Sequence, residues 1–197
     1  MVSRTKAECD DWYEYDLLNV FTRTNIIARV HSDMGGLDVL VNNAGMQIKE
    51  NFTYIQNVDW NSQISLMLTV PFVLSQQFAR TCARGHIINI LSTSAFQGAR
   101  FVAPYIVAKH GLLGLTRAMA VELGPDIRVN AIAPGLIDTD MTSDIGPERR
   151  ALLESIIPAG RFGYGSEVAD ALLWLLNTTY VYGQVITVDG GWMVKNG

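Results

Sequence analysis

The sequence predicts an α/β chain built on a parallel sheet, with helices packed on both of its faces. Three observations predict it. Short β-branched runs alternate with longer amphipathic stretches along the 197 residues, the order that parallel β-α-β construction requires. Three of the apolar runs end on polar or glycine-containing segments, as strands do where an open parallel sheet gathers a ligand. About half of the residues are apolar, enough for one domain of this length to bury a substantial core.

In chain order, Tyr13-Glu14-Tyr15 is a candidate short strand. Leu37-Asp38-Val39-Leu40-Val41 reads as a buried strand closed by Asn42-Asn43-Ala44-Gly45. From about residue 58 to 82 apolar positions recur at helical spacing, with Pro71 inside the run. His86-Ile87-Ile88-Asn89-Ile90-Leu91 is a second strand, ended by Ser92-Thr93-Ser94. A long helix follows over about 102–123 and is stopped by Gly124-Pro125. Residues 127–132 form a third strand ending at Pro134-Gly135, and helical stretches follow near 148–156 and 166–176. The last strand, 184–189, is broken by Gly190-Gly191. The loops at 42–45, 92–98 and 134–140 are therefore expected to share one crevice. Trp60, Phe72, Phe78 and Trp174 fall at helical spacing among aliphatics and suit a core or a subunit interface.

Composition excludes several classes of function. A net charge of -4 offers no attraction to nucleic acid or to anionic lipid. No apolar run reaches the ~18–20 residues that a membrane span needs. The polar start lacks the apolar stretch of a secretory signal. Cys9 and Cys82 read as free thiols in a reducing, cytoplasmic setting. His31, His86 and His110 are scattered, so no metal site is expected.

Tyr105-x-x-x-Lys109 puts a phenol and an ammonium one helical turn apart on one face. A phenol titrates near pH 10, and a neighbouring lysine favours its ionised form, which would fit it for proton transfer. Ser92 ends the strand before that helix, Asn42-Asn43-Ala44-Gly45 ends the strand before that, and Pro134-Gly135-Leu136-Ile137-Asp138-Thr139 ends the next.

This ordered set resembles the short-chain dehydrogenases/reductases: Asn-Asn-Ala-Gly, then Ser…Tyr-x-x-x-Lys, then a Pro-Gly segment, from about Asp16 to the C-terminus. The resemblance implies a single Rossmann-like doubly wound parallel sheet over residues 1–197, incomplete in its first strand-helix units. It implies hydride transfer between NAD or NADP and a small-molecule alcohol or ketone. Tyr105 would be general acid in reduction and general base in oxidation, Ser92 would bond the substrate oxygen, and Lys109 would lower the tyrosine's pKa and hold the nicotinamide ribose. Asn42, Ala44 and Gly45 would line the cofactor's path. The backbone of Ile137 and the hydroxyl of Thr139, in the segment opened by Pro134 and Gly135, would hold the carboxamide. Asp16-Leu17 matches the family's Asp-hydrophobic pair beside adenine, and a turn or helix cap is the other reading of those two residues. A homodimer or homotetramer is implied as well. Thr93–Arg100 and Asp138–Arg161 would wall the substrate, with Phe96, Phe101, Met141 and Phe162 giving an apolar pocket.

Two departures from the family pattern stand out. Seven residues beyond Trp60 the family carries an asparagine, and here the residue is Met67. Pro71 has no N–H, so the carbonyl of Met67 should lack its helical donor and be free to hold a water. Nothing in residues 1–19 resembles the family's Thr-Gly-x-x-x-Gly-x-Gly loop, nor the strand end that separates NAD from NADP, so the preference is not readable. Without the family's first strand the 37–41 strand would expose an apolar edge, which Tyr13-Glu14-Tyr15 or another subunit could cover. The missing loop and Met67 keep an alternative open, a catalytically silent binding or assembly module. An isomerase or dehalogenase on the same scaffold is a third reading.

Overall fold

The Ile- and Val-rich segments form the four-stranded parallel sheet at the centre of the computed structural model, in the order β3-β4-β5-β6. The structure describes residues 13–19 and 24–194, with the backbone alone of Val2 and Ser3. The strands are β3 (Val39–Asn42), β4 (Gly85–Ile90), β5 (Ile127–Pro134) and β6 (Val185–Val188). The register sets Asn42 beside Asn89 and Ile90 beside Ile132. The two central strands are near-continuous apolar runs because both of their faces are covered. Leu40, Ile87 and Val129 pack beneath the helices α1 (Ile26–Met34), α3 (Val70–Thr81) and α4 (Ala103–Leu123), whereas Ile88 and Ile132 pack beneath α6 (Gly165–Asn177). Phe78 is fully buried in the first of these layers, whereas Phe72 and Trp174 are exposed.

Helix α1 is an element that periodicity did not mark. It spans nine residues, opens on two β-branched isoleucines and ends at Gly35 with φ 72°, so it owes its form to burial of Ile26 and Ile27 more than to propensity. The 58–82 run is helical throughout but not uniform. It comprises α2 (Asn57–Ile64), a π-helical turn at Ser65–Thr69, and α3. Within the turn the Val70 N–H donates to the Ser65 carbonyl, one residue further back than in an α-helix. Helix α4 crosses this turn closely: a Cβ on Gly111 would lie 2.8 Å from Leu68 Cδ2. Helix α5 (Pro147–Ile156) and α6 occupy the two stretches expected to be helical.

The tyrosine segment is the main difference from expectation. Tyr13–Glu14 (β2) pairs in parallel with Val2–Ser3 (β1), a strand too short to show a period, and does not slide across to β3. The His86 N–H donates to the Asp38 carbonyl at 2.9 Å, so by strand alternation Val39 and Val41 turn their backbone groups to the opposite edge. Among the described residues β3 has a partner on its β4 side alone. A cavity of about 680 Å³ runs along its open edge. No helix of the described residues is long and apolar enough to cross a membrane, and those residues hold no cluster of three metal-ligating side chains. Cys82 is a buried free thiol, and Cys9 lies outside the described residues.

Candidate active site

Strand β4 ends at Ile90, and the chain passes through Leu91 to Ser92, whose hydroxyl accepts the Ser94 N–H at 3.1 Å and opens a short 3-10 turn. Thirteen residues beyond Ser92, α4 carries Tyr105, and one turn later Lys109, on its sheet-facing side, 8% and 4% exposed. The Ser92 hydroxyl lies near enough to the Tyr105 phenol to pull its pKa down. The Lys109 Nζ donates to the Ile90 carbonyl at 2.7 Å and stands 5.5 Å from the centre of the Tyr105 ring. The three side chains thus meet at the C-terminal end of the central strands.

Their electrostatics follow from burial. Burial drives the Tyr105 phenol above its ordinary range, with Ser92 pulling the other way. Burial also lowers Lys109, to about 8. Desolvation of the phenol thus outweighs the Ser92 contribution, while the Lys109 ammonium donates to the Ile90 carbonyl.

Of the residues expected along a cofactor path, Ala44 and Gly45 are exposed at the strand end, as is Asn43 before them, and Asp16 and Leu17 border the same cavity. The Asp16 carboxylate also accepts the Leu18 N–H at 3.0 Å, so the turn reading of this residue holds alongside its place on the cavity wall. Asn42 lines the cavity too, but its amide turns inward, donating to Asn89 Oδ1 at 2.8 Å and to Ser75 Oγ at 3.3 Å. Asn89 in turn donates to Thr116 Oγ1 at 2.9 Å. This buried chain ties β3, β4, α3 and α4 together immediately below the site. A polar residue inside the apolar run Ile87-Ile88-Asn89-Ile90 was its one signal in the sequence.

Continuing the β4–β5 register sets Ser92 abreast of Pro134. Gly135 is required there by close approach, since a Cβ would lie 2.7 Å from the Cβ of Asp189 at the end of β6. Beyond it Ile137 forms a bridge with Gly163, and its carbonyl accepts the Thr142 hydroxyl at 2.8 Å. Thr139 caps the short turn at Asp140–Thr142. Arg150 braces the segment with ion pairs to Asp138 at 3.0 Å and Glu154 at 2.9 Å, its guanidinium 4.5 Å from the Phe162 ring centre. Phe162 is 2% exposed and belongs to this brace, not to a pocket wall, whereas Phe96, Phe101 and Met141 are exposed.

Three contacts around the crevice had no sequence signal. Gln63 accepts the Ile48 N–H at 3.2 Å, Glu50 donates its N–H to the Phe101 carbonyl at 2.8 Å, and Lys49 pairs with Asp144 at 2.7 Å. The loop after β3 is thereby fastened to both neighbouring walls.

A family model described as enoyl-(acyl carrier protein) reductase matches residues 2–193. The 3-oxoacyl-[acyl-carrier-protein] reductase of Aquifex aeolicus is 36% identical over 184 residues, covering 90% of this chain and 74% of that protein. The 2-dehydro-3-deoxy-D-gluconate 5-dehydrogenase of Escherichia coli is 36% identical over 179 residues, covering 86% and 71%. The solved structure of a gluconate 5-dehydrogenase from Burkholderia cenocepacia, in complex with NADP and tartrate, superposes with a TM-score of 0.87 at 28% identity, covering 93% of this chain and 75% of that one. Taken with the parallel sheet and with Ser92, Tyr105 and Lys109 gathered at its C-terminal edge, these matches establish that the chain belongs to the short-chain dehydrogenase/reductase family of NAD(P)-dependent oxidoreductases.

Proposed function

We propose that Ser92, Tyr105 and Lys109 carry the acid–base work of reversible hydride transfer between NAD or NADP and a small-molecule alcohol or ketone. One observation supports it above the others: Ser92, Tyr105 and a buried Lys109 gather at the C-terminal end of the central strands, with the Lys109 Nζ 5.5 Å from the centre of the Tyr105 ring. In reduction the Tyr105 O–H donates its proton to the substrate oxygen as negative charge develops there, while the Ser92 hydroxyl donates a second hydrogen bond. In oxidation the phenolate oxygen accepts the alcohol's proton.

Asp16 and Leu17 on one wall of the cavity would border the adenosine end of an extended nucleotide, and Asn42, Ala44 and Gly45 on the other wall its middle. Lys109 and the Pro134–Thr139 segment, outside that cavity's lining, would meet its reactive end. When bound, nicotinamide supplies the hydride; the protein supplies orientation and the proton. A homodimer or homotetramer is supported by exposed Leu173 and Trp174 on α6. Cys82 as a buried free thiol supports a reducing, cytoplasmic setting.

Tyr105→Phe tests the assignment. Ketone reduction with NADH or NADPH should fall by roughly 10²–10⁴-fold. Cofactor affinity, measured by calorimetry, should stay nearly constant. Normal turnover in the phenylalanine variant would remove Tyr105 from the acid–base role.

A further inference from the structure

The starts of β3, β4 and β5, at the end of the sheet opposite Ser92 and Tyr105, border a second cavity of about 530 Å³. His86 and Arg128 sit abreast in the β4–β5 register and, by strand alternation with Ile88 and Ile132, turn to the α6 face. His86 is 2% exposed. Its Nδ1 meets Arg128 Nη2 at 3.3 Å, and its Nε2 meets Asn130 Nδ2 at 3.1 Å. The Asn130 amide is fixed in that orientation, since Nδ2 donates to the Val181 carbonyl at 2.8 Å and Oδ1 accepts the Gln184 N–H at 3.0 Å. A neutral imidazole carries one N–H, so whichever ring nitrogen holds the proton turns it toward a donor. Arg128 adds a second unmet donor. Its Nη2 reaches the Leu176 carbonyl at 3.2 Å, but its Nε–H is buried with no hydrogen-bond partner among the described residues. Buried donors in this state are costly, and both belong to side chains that line the cavity.

We propose that this cavity is a binding site for a small monocarboxylate, separate from the catalytic crevice. The carboxylate oxygens would accept from the guanidinium of Arg128 and from the imidazole N–H of His86, supplying the acceptor that the fold leaves out. Arg84 lines the same cavity from its exposed side and adds a second positive charge. Asp38 and Asp126 stand at that exposed side too, so the four charged groups sum to zero and a dianion gains no net attraction. A carboxylate therefore suits the site better than phosphate does.

Sodium propionate, titrated at pH 7 against sodium chloride of equal ionic strength, tests the site. The melting temperature should rise saturably, by roughly 3–6 °C at ten times Kd. The rise should be equal with and without NADPH, because the catalytic crevice lies at the other end of the strands. Proton–nitrogen NMR of labelled histidine should show the change at His86, with His31 and His110 unmoved. Arg128→Lys keeps the charge but loses the planar fork, and should weaken propionate about tenfold. Arg84→Gln, a change at an exposed side chain, should weaken it about threefold. Inorganic phosphate should stabilise less than propionate at equal concentration. A rise that never saturates, parent affinity in both arginine variants, or a response at His31 or His110 in place of His86 overturns the proposal. Competition by NADPH does so too, since it would place propionate in the catalytic crevice, as does stronger stabilisation by phosphate than by propionate.

Discussion

Lys109 carries an ammonium into surroundings where it is 4% exposed, and burial lowers its pKa from 10.5 to about 8. Its folded value lies below its unfolded one. Below about pH 8 both states are charged and the folded state bears the whole desolvation cost; between 8 and 10.5 the unfolded state holds more protons, and stability rises with pH. Lys109→Met should therefore be inactive yet more stable at pH 7. The ceiling is about 3 kcal/mol, and losing the bond to the Ile90 carbonyl brings the net gain nearer ~1 kcal/mol. Thermal unfolding at pH 7 and pH 10 checks the sign, because the gain should shrink at the higher pH. His86 works in the acid range. Its Nδ1 faces the Arg128 guanidinium at 3.3 Å, which can only donate, so a proton on that nitrogen finds no acceptor there. Burial first, and Arg128 second, lower it from 6.5 to about 4. Stability should fall as pH drops from 6.5 through 4, and His86→Gln, which cannot ionise, should move the acid unfolding midpoint to lower pH. At this scale the reacting side chains were legible because their chemistry and spacing are both specific. The left-handed backbone of Phe101 was not, since no glycine or asparagine marks it.

Among the elements, the run from α2 through α3 shows what periodicity carries and what it loses. Its apolar positions announce a helix, but a π turn depends on which carbonyl each N–H selects, and side-chain pattern does not record that choice. The shifted bond from Val70 to Ser65 also changes the account of Pro71. Under π spacing its missing N–H deprives the Leu66 carbonyl, under α spacing that of Met67, so both acceptors border the gap. The Met67 side chain is 1% exposed and packs with Val102, Tyr105 and Ala108. Met67→Asn would set an amide in that apolar cluster. Stability should fall by about 1–3 kcal/mol, while turnover should change by less than about tenfold if a main-chain carbonyl serves the proton path. A gain of several orders of magnitude in steady-state turnover would show that the amide itself is what the site lacks. Strands β4 and β5 were legible to within two residues, because continuous burial writes continuous apolar runs.

Across the whole molecule, β3 has, among the described residues, a strand partner on its β4 side alone. Asp38-Val39-Leu40-Val41 was readable as a strand, but strand pairing is a long-range property, and the partner of Tyr13–Glu14 proved to be Val2–Ser3. A cavity of about 680 Å³ lies between the 15–18 segment and β3, walled by apolar side chains that include Leu17, Ile26, Val30, Leu37 and Leu74. Val41 is 38% exposed beside it, and the backbone groups of Val39 and Val41 point into it. A parallel-sheet strand left in this state presents unpaired donors and acceptors together with apolar surface, the combination that promotes edge-to-edge association. Isolated chains should therefore self-associate with rising concentration, and they should bind an apolar dye that a covered sheet excludes. Val41→Lys sets an ammonium beside the edge, where a second copy would have to desolvate it. Sedimentation velocity over a concentration series should show association weakened by roughly tenfold or more, with far-ultraviolet circular dichroism unchanged because β4 and β5 keep their pairing. Equal association in parent and variant would place the contact elsewhere, with the exposed Leu173 and Trp174 of α6 as the next surface to alter.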